Sequence, residues 1–308
     1  MHSSANDEIL SGLHESRTRF LVLVAEVRPE LHRYCARMAG SVADGEDVVQ
    51  DALARAYYDL ADLKELPPLR PWLFKIAHNR AIDFLRGRQR RMNEPLDAAM
   101  DIAADMALEP DNALAREDAV RTAVSRFLEL APAQRSCVIL KDVLEYSLEE
   151  IAALLELTVP AIKAALHRGR TRLHELSLAA PPAAPKRVVS PTLVRYAELF
   201  NARDWDGVRN MLVADVKLDL VTRYKVAGQP VQTYFANYDG THDWRFVPGW
   251  LDGREVLAVF RNFGDVRPGY FVMLDLLGDC VAAIRDFRYV PYIARDATIE
   301  FAERTAVE

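Results

Sequence analysis

The chain has 308 residues, half of them apolar, and a formal net charge of −6 at pH 7. Its length exceeds that of an ordinary single domain and its composition excludes a disordered chain, so we expect two or three globular domains. The negative charge also excludes a protein that is basic all over its surface. Any contact with nucleic acid must therefore use local basic faces.

The three cysteines are far apart in the sequence and form neither a CxxC pair nor a cluster with histidine: Cys35, Cys137 and Cys280. This spacing favours reduced core residues and argues against a zinc site, and we expect no cofactor. The N-terminal segment MHSSANDEILSGLHES lacks the apolar core of a signal peptide. No run approaches the roughly 18 apolar residues needed to span a bilayer. We therefore expect a soluble, cytoplasmic protein with no membrane partner.

Helical periodicity extends over residues 16–92, after a flexible N-terminus at residues 1–15. Within it, a helix from Asp44 to about Leu60 can turn its apolar side chains toward a core. Its polar residues then form an exposed, mainly acidic edge, made of Asp44, Glu46, Asp47, Gln50 and Asp51.

The segment from Pro71 to Arg91 reads PWLFKIAHNRAIDFLRGRQRR. Proline suits the first position of a helix, where no N–H group is needed, and apolar residues then recur at helical spacing. Its other faces are polar and end in a basic run: Lys75, His78, Asn79, Arg80, Asp83, Arg86, Arg88 and Arg90. Such a helix can dock on a core while touching a phosphate backbone. A solvated surface helix in an unrelated domain would show the same pattern.

Residues 93–117 form an acidic connector with prolines at 95 and 110, and helical periodicity returns over residues 118–178. Ser147 and Glu150 form a capping-box pattern before one short helix, and a second, basic helix extends from Val159 to Leu173. Two short helices joined by a tight turn are typical of a helix-turn-helix, although other helix pairs can mimic it.

A Pro/Ala-rich linker at residues 179–190 separates these helices from residues 191–308, where the pattern changes. Two helical segments come first, and alternating apolar stretches follow with turn signals such as Asp252-Gly253 between them. This order predicts an α+β domain with a curved antiparallel sheet. The chain is therefore expected to be multidomain, with two all-α domains before the α+β domain.

Three segments together resemble the bacterial extracytoplasmic-function sigma factors over about residues 16 to 178: ADGEDVVQDALARAY from Ala43, the Pro71–Arg91 segment, and YSLEEIAALLELTVPAIKAALHRGRTRL from Tyr146. The resemblance implies a transcription initiation factor that directs core RNA polymerase to promoter DNA. Sigma domain 2 would cover residues 16–92, the acidic linker residues 93–117, and sigma domain 4, with the helix-turn-helix, residues 118–178.

The same resemblance implies roles for particular residues. The acidic edge from Asp44 to Asp51 would contact the clamp coiled coil of the polymerase, whose flap is a further expected partner. The polar residues between Lys75 and Arg90 would contact the −10 promoter element. The second helix of the helix-turn-helix would contact the −35 element through Pro160, Ala161, Lys163, Ala164, His167, Arg168 and Arg170.

The sequence departs from the commoner family pattern in this second helix. Alanines at 161, 164 and 165 stand where that pattern has Thr, Ser and Arg. Direct hydrogen bonding to bases is thereby reduced, so methyl contacts to thymine and DNA shape must contribute more.

Residues 191–308 resemble the SnoaL-like cone, also called the ketosteroid-isomerase or nuclear-transport-factor type. The resemblance implies a regulatory domain that contacts the sigma domains of its own chain. Cone-fold catalysts use a pocket carboxylate. Strand alternation puts Asp219 and Arg223 on one face, and Asp275 joins them in a candidate pocket if its strand faces the same way. A sensor of an unknown small ligand and an enzyme remain alternatives for this domain, although we expect no enzyme. For the whole chain, the alternatives are a one-component helix-turn-helix regulator and a SnoaL-like enzyme with a DNA-binding appendage.

Overall fold

The computed structural model describes residues 15–16, 18–65, 67–92, 119, 123–178, 188–239, 244–262 and 264–301. The chain divides into two compact units, Met1–Ala180 and Pro181–Glu308. The predicted N-terminus (1–15), acidic connector (93–117) and Pro/Ala linker (179–190) lie wholly or mostly outside the described residues. Within the described ranges, no helix combines the length and the apolarity needed to cross a membrane.

The described part of the first unit is built mainly from α-helices: α1 (Arg28–Ala39), α2 (Val42–Asp59), α3 (Leu69–Met92), α4 (Pro132–Val138), α5 (Leu148–Leu155) and α6 (Val159–Leu178). A π-helical turn at Ile139–Val143 continues α4, and 3₁₀ turns occur at Leu60–Asp62 and Val124–Glu129. The predicted helices are present. Helix α3 begins two residues before Pro71, and α6 continues five residues beyond Leu173.

Local sequence explains where several of these helices begin and end. Helix α1 ends at Gly40, whose φ of 73° is left-handed and suits glycine. The Ser41 side chain then accepts a hydrogen bond from the Asp44 N–H and caps the start of α2. The predicted capping box of Ser147 and Glu150 is present at the start of α5. Helix α5 ends at Glu156, which takes the left-handed conformation (φ 58°) without being glycine.

A single hydrophobic core extends through these six helices. Tyr34 and Phe74 from the first three helices belong to the same buried cluster as Phe127, Ile139 and Ile162. Burying these large side chains removes apolar surface from water, at roughly 25 cal/mol for each Å². The segments 16–92 and 118–178 therefore share one core.

The second unit contains α7 (Pro191–Asn201), α8 (Trp205–Asn210) and α9 (Ala236–Asp239), together with a seven-stranded sheet. The strands are β1 (Leu212–Leu220), β2 (Tyr224–Ala227), β3 (Arg245–Leu251), β4 (Arg254–Phe260), β5 (Tyr270–Leu277), β6 (Cys280–Asp286) and β7 (Ile299–Phe301), in the order β2-β1-β6-β5-β4-β3-β7.

The expected α+β fold with a curved sheet is confirmed, but the sheet is mixed and not wholly antiparallel. Strand β1 pairs with β6 in parallel, with Leu218 opposite Ile284, while the other strand pairs are antiparallel. Strands β1 and β6 are joined by a long connection that contains four strands, so no hairpin dictates their relative direction.

The second unit has its own hydrophobic core, on the sheet face that carries Leu218 and Ile284. Tyr196 and Phe200 of α7 belong to this buried cluster, and the Phe200 ring stacks on Phe246 of β3 at a centroid distance of 3.9 Å. This core holds the helices against the sheet.

Candidate nucleic-acid and polymerase interface

Helix α3 presents a stripe of exposed polar side chains. Five of the eight residues expected on the −10 side are exposed, namely Lys75, Asn79, Asp83, Arg86 and Arg90. Successive members are three or four residues apart, so they lie on one face of the helix. We call these five residues the α3 stripe. It carries three cationic side chains and one carboxylate, so this face attracts phosphate although the whole chain is acidic.

The other three residues of that set, His78, Arg80 and Arg88, are half-buried. Arg80 and Arg86 lie 4.0 and 3.8 Å from the Asp83 carboxylate, and such exposed pairs contribute little to stability. Arg88 donates to the backbone carbonyl of Ala39, at 3.4 Å. Arg88 is therefore partly engaged in holding α3 against α1.

His78 lies at a contact between segments that are distant in the sequence. Its Nδ1 is 2.7 Å from the Tyr34 hydroxyl, which is also 3.2 Å from the Ser136 hydroxyl. Burial lowers the pKa of His78 to about 4, because the charged ring would lose its hydration. His78 is therefore neutral at pH 7, and its ring shares a hydrogen bond with the Tyr34 hydroxyl as an uncharged group.

The helix-turn-helix consists of α5, the turn at Glu156 and α6. Of the seven residues expected to face the −35 element, Pro160 and Lys163 are exposed, and Ala161, His167 and Arg168 are half-buried. Ala164 is buried, with 5% of its surface accessible.

Arg170 is also buried, against the expectation that it contacts the −35 element. Its Nε and Nη2 donate to the two carboxylate oxygens of Asp142, at 3.0 and 2.6 Å. The guanidinium is therefore engaged inside the fold. The sequence signal for this pair is Asp142 inside the largely apolar run CVILKDVL, which spacing alone does not connect to position 170.

The acidic edge of α2 is only partly on the surface. Asp47 and Asp51 are exposed and Gln50 is half-buried. Asp44 and Glu46 are buried, and Glu46 forms an ion pair with Arg28. The edge that a partner can reach is thus narrower than the sequence pattern suggests.

The candidate pocket of the second unit is not assembled as expected. Asp219 lies 2.9 Å from Lys225 and 3.5 Å from Arg285. Strand β1 ends at Leu220, so Arg223 lies in a turn with its guanidinium 4.5 Å from the Tyr289 ring centroid. Asp275 is exposed. Asp219 shares the sheet face of Arg285, which is opposite the face of Leu218 and the helix-packed core.

A different acid, Asp286, lies in the core of this unit with none of its surface exposed. Its Oδ2 accepts hydrogen bonds from the hydroxyls of Tyr234 (2.6 Å) and Tyr238 (2.9 Å), and its Oδ1 accepts from the Arg288 N–H (2.8 Å). The Tyr270 hydroxyl lies 3.1 Å from that of Tyr238. Burial raises the pKa of Asp286, although the hydrogen bonds oppose this. The signal in the sequence is an acid at an inward position of a strand that is otherwise apolar on that side.

Within the part of the chain that the structure describes, no group of three or more His, Cys, Asp or Glu side chains could hold a metal ion. Cys35 and Cys137 are buried, Cys280 is half-buried, and all three are free thiols.

Comparison with known proteins identifies both helical segments. Residues 23–91 match the family model of Sigma-70 region 2, and residues 120–173 match that of Sigma-70, region 4. The chain is 31% identical to the ECF RNA polymerase sigma factor SigW of Bacillus subtilis over 166 residues, covering 51% of this chain and 87% of SigW. It is 27% identical to the ECF RNA polymerase sigma factor SigG of Mycobacterium tuberculosis, covering 89% of this chain and 82% of SigG.

Among solved structures, the extracytoplasmic-function sigma factor SigJ of Mycobacterium tuberculosis is 20% identical, covers 85% of this chain and 95% of its own, and has a TM-score of 0.34. The two region matches lie in the order of the helical segments, and the match to SigW covers most of that protein. The chain belongs to the family of extracytoplasmic-function RNA polymerase sigma factors, which bind core RNA polymerase and promoter DNA and start transcription.

Proposed function

We propose that the α3 stripe contacts the −10 element and that the exposed start of α6 contacts the −35 element. The observation that carries this proposal is the spacing of Lys75, Asn79, Asp83, Arg86 and Arg90 along one exposed helix face. The buried side of α3, with Leu73, Phe74 and Ala77, holds that face outward on the core. On α6, Lys163 is an exposed donor for a base edge or a phosphate, and Arg168 is a half-buried second one.

On the polymerase side, we propose that Asp47 and Asp51 form the contact with the clamp coiled coil, while region 4 contacts the flap. Two carboxylates four residues apart on one helix face can complement a basic partner and steer its approach. The buried Asp44 and Glu46 support the same surface indirectly. The Arg28–Glu46 ion pair holds α2 against the start of α1.

Transcription in vitro tests the DNA contacts. Core RNA polymerase and the full chain are assayed by run-off transcription on a promoter library, and promoter binding is then measured for single variants. Lys163→Ala and Arg168→Ala should each weaken binding by about 1–3 kcal/mol if a base contact is lost. Arg86→Ala should weaken binding about equally for all promoter sequences. Arg209→Ala, which removes an arginine of the second unit paired with Asp206, is the control and should change nothing. Unchanged affinity in all three interface variants would contradict the proposal.

We propose a regulatory role for the second unit, through contact with the sigma regions of the same chain, and no chemical step. Asp286 is not placed to act as a catalytic base, because both of its oxygens already accept hydrogen bonds and none of its surface is exposed.

A truncated chain tests the regulatory role. A chain that ends at Ala180 keeps the core of the first unit intact. Such a chain should still bind core polymerase but transcribe at a different rate from the full chain. Identical transcription by the two chains would contradict a regulatory role, and altered transcription only in the presence of an added small molecule would indicate a ligand sensor.

A further inference from the structure

One end of the seven-stranded sheet collects arginine side chains. Strands β1 and β6 are parallel, so both finish at this end, and Arg223 and Arg288 follow them. Strand β4 is antiparallel to β5, and β5 is antiparallel to β6, so Arg261 and Arg267 of the β4–β5 connection lie at the same end. Arg245, the first residue of β3, lies there too. We call these five residues the arginine rim.

The charges of this sheet are segregated. At the opposite end, the β3–β4 turn contains Asp252 and the β5–β6 turn contains Asp279. Arg254, at the start of β4, is an exposed arginine at that acidic end. The arginine rim therefore carries a local positive charge, although the chain as a whole has a net charge of −6.

Aromatic rings hold two of the rim arginines from below. The Arg288 guanidinium lies 4.9 Å from the centroid of the Trp244 ring and 5.2 Å from that of Tyr238. The Arg261 guanidinium lies 5.4 Å from the Trp244 centroid and 5.5 Å from that of Tyr270. The two tyrosines are themselves fixed, because both are buried and their hydroxyls lie 3.1 Å apart.

A third rim arginine is held in the same way. The Arg223 guanidinium lies 4.5 Å from the centroid of the Tyr289 ring, and that of Arg288 lies 5.9 Å from the same ring. A guanidinium that stacks on a ring uses its face, so its in-plane N–H donors remain available for forked hydrogen bonds to an anion. Because the rings restrict these side chains beforehand, less conformational entropy is lost when an anion binds.

Two carboxylates at this end of the sheet are engaged elsewhere. Asp286 is buried, and both of its oxygens accept hydrogen bonds. Asp265, in the β4–β5 connection, accepts a hydrogen bond from the Asn262 N–H at 3.2 Å. Among the residues that the structure describes, no carboxylate forms an ion pair with the three stacked arginines. Within that part of the chain, their charge remains open to a partner molecule.

The spacing of the stacked arginines suits an extended polyanion. Arg261 and Arg288 share the Trp244 ring, so their guanidinium carbons lie within about 10 Å of each other, a distance over which one strand of duplex DNA presents about three phosphates. Arginine fits such contacts, since its fork matches two oxygens of one phosphate. The chain belongs to a family that binds promoter DNA, so duplex DNA is a polyanion that it meets in function.

We infer that the arginine rim binds the phosphate backbone of duplex DNA, so that the second unit supplies a DNA contact of its own. This contact is additional to the −10 and −35 contacts of the proposed function and does not depend on them. Because it neutralises phosphates without reading base edges, it adds affinity about equally for all DNA sequences. An acidic protein segment is the competing partner for such a surface, and binding of a polyglutamate peptide distinguishes the two.

Loss of rim charge tests the inference in the holoenzyme of core polymerase and the full chain. Arg223→Gln and Arg261→Gln are combined, because both side chains are exposed and the fold should tolerate their loss. Arg267→Gln removes a further exposed rim charge on its own. Arg254→Gln, at the acidic end of the same sheet, is the matched control. A second double variant, Arg223→Lys with Arg261→Lys, keeps both charges.

The affinity for a promoter duplex is measured over a series of salt concentrations, and hydroxyl-radical footprinting maps the protected backbone. In the glutamine double variant, the plot of log affinity against log salt concentration should become shallower by about two, since each lost phosphate contact removes about 0.9 from the slope. In Arg267→Gln it should become shallower by about one. The control and the lysine double variant should keep the wild-type slope. Backbone protection outside the −10 and −35 elements should disappear in the glutamine double variant, while protection at the two elements persists.

Three results would overturn the inference. The first is an unchanged slope and footprint in both glutamine variants, with thermal unfolding like that of the wild type. The second is an equal loss of slope in the lysine double variant, which would assign the effect to altered packing. The third is weaker binding of polyglutamate by the glutamine variants with no change in the DNA slope, which would indicate an acidic protein partner.

The design separates this inference from the proposed function. If the wild-type holoenzyme protects neither the −10 nor the −35 element, the proposed function fails. The difference in slope between the glutamine double variant and Arg254→Gln still decides whether the arginine rim binds DNA.

Discussion

Arg170 and Asp142 form a buried, two-point ion pair that joins α6 to the π-helical turn after α4. Only 6% of the Arg170 side chain and 3% of the Asp142 side chain are accessible. Nε–Oδ2 and Nη2–Oδ1 distances of 3.0 and 2.6 Å match the forked geometry in which arginine best binds a carboxylate. The pair fixes the position of α6 from inside the fold.

Breaking this pair should strongly destabilise the first unit. Asp142→Ala leaves the Arg170 charge buried without its partner, and the expected loss in the free energy of unfolding is about 3–5 kcal/mol. Arg172→Ala, which removes an exposed arginine two positions away, should cost less than about 1 kcal/mol. Urea denaturation measures both values. Equal effects of the two substitutions would show that the pair does not anchor α6.

The low pKa of His78 predicts that acid loosens the first unit. The pKa of about 4 in the fold lies below the ordinary value near 6.5, so the unfolded chain binds a proton more readily. The stability that depends on neutral His78 is complete above pH 6.5 and is lost as the pH falls toward 4, by at most about 3 kcal/mol. NMR titration of the ring measures the pKa directly. In His78→Gln this part of the pH dependence should disappear, and a pKa near 6.5 in the wild type would contradict the prediction.

Asp286 should have the opposite effect in the second unit. Its raised pKa means that the fold binds a proton more readily than the unfolded chain, so its contribution is greatest below pH 4 and is lost as the pH rises. Asp286→Asn should therefore gain stability relative to the wild type as the pH is raised from 4 to 8. Asp275→Asn, at an exposed position, is the control and should show no such trend. Unfolding followed by tryptophan fluorescence checks the sign, and a pH-independent difference for Asp286→Asn would contradict the prediction.

The residues of the α2 edge should separate into two classes. Asp47→Lys and Asp51→Lys should slow association with core polymerase and change its salt dependence, while the stability of the free protein stays within about 0.5 kcal/mol. Glu46→Gln should instead lower stability, because it removes the buried charge that balances half-buried Arg28. Stopped-flow binding and thermal unfolding distinguish the two classes. An equal loss of stability in Asp47→Lys and in Glu46→Gln would contradict this separation.

Much of the helical architecture is predictable from local pattern, because α3 and the helix-turn-helix have strong periodicity and clear caps. The burial of Glu46 and Arg170 is not. Charged residues on helices usually face water, and the partners that bury these two, Arg28 and Asp142, lie 18 and 28 residues away. No local rule connects them.

In the second unit, the prediction made from strand alternation is wrong at the point where the chain turns. Asp219 and Arg223 would share a face on a continuous strand, but β1 ends at Leu220 and Thr222 takes a φ of 72°. The parallel pairing of β1 with β6 joins two strands that are neighbours in the sheet but are separated by four other strands in the sequence. Both features arise from the tertiary structure, and the residues that determine them are not neighbours in the chain.

The shared core of the first unit has a consequence at high protein concentration. Separation of regions 2 and 4 would expose Tyr34, Phe74 and Tyr146, which are buried in the shared core, and region 4 of a second molecule offers the complementary surface. Two such chains can exchange these regions and form a domain-swapped dimer with no new contacts. Dimers of this kind should therefore form at a rate that increases with protein concentration.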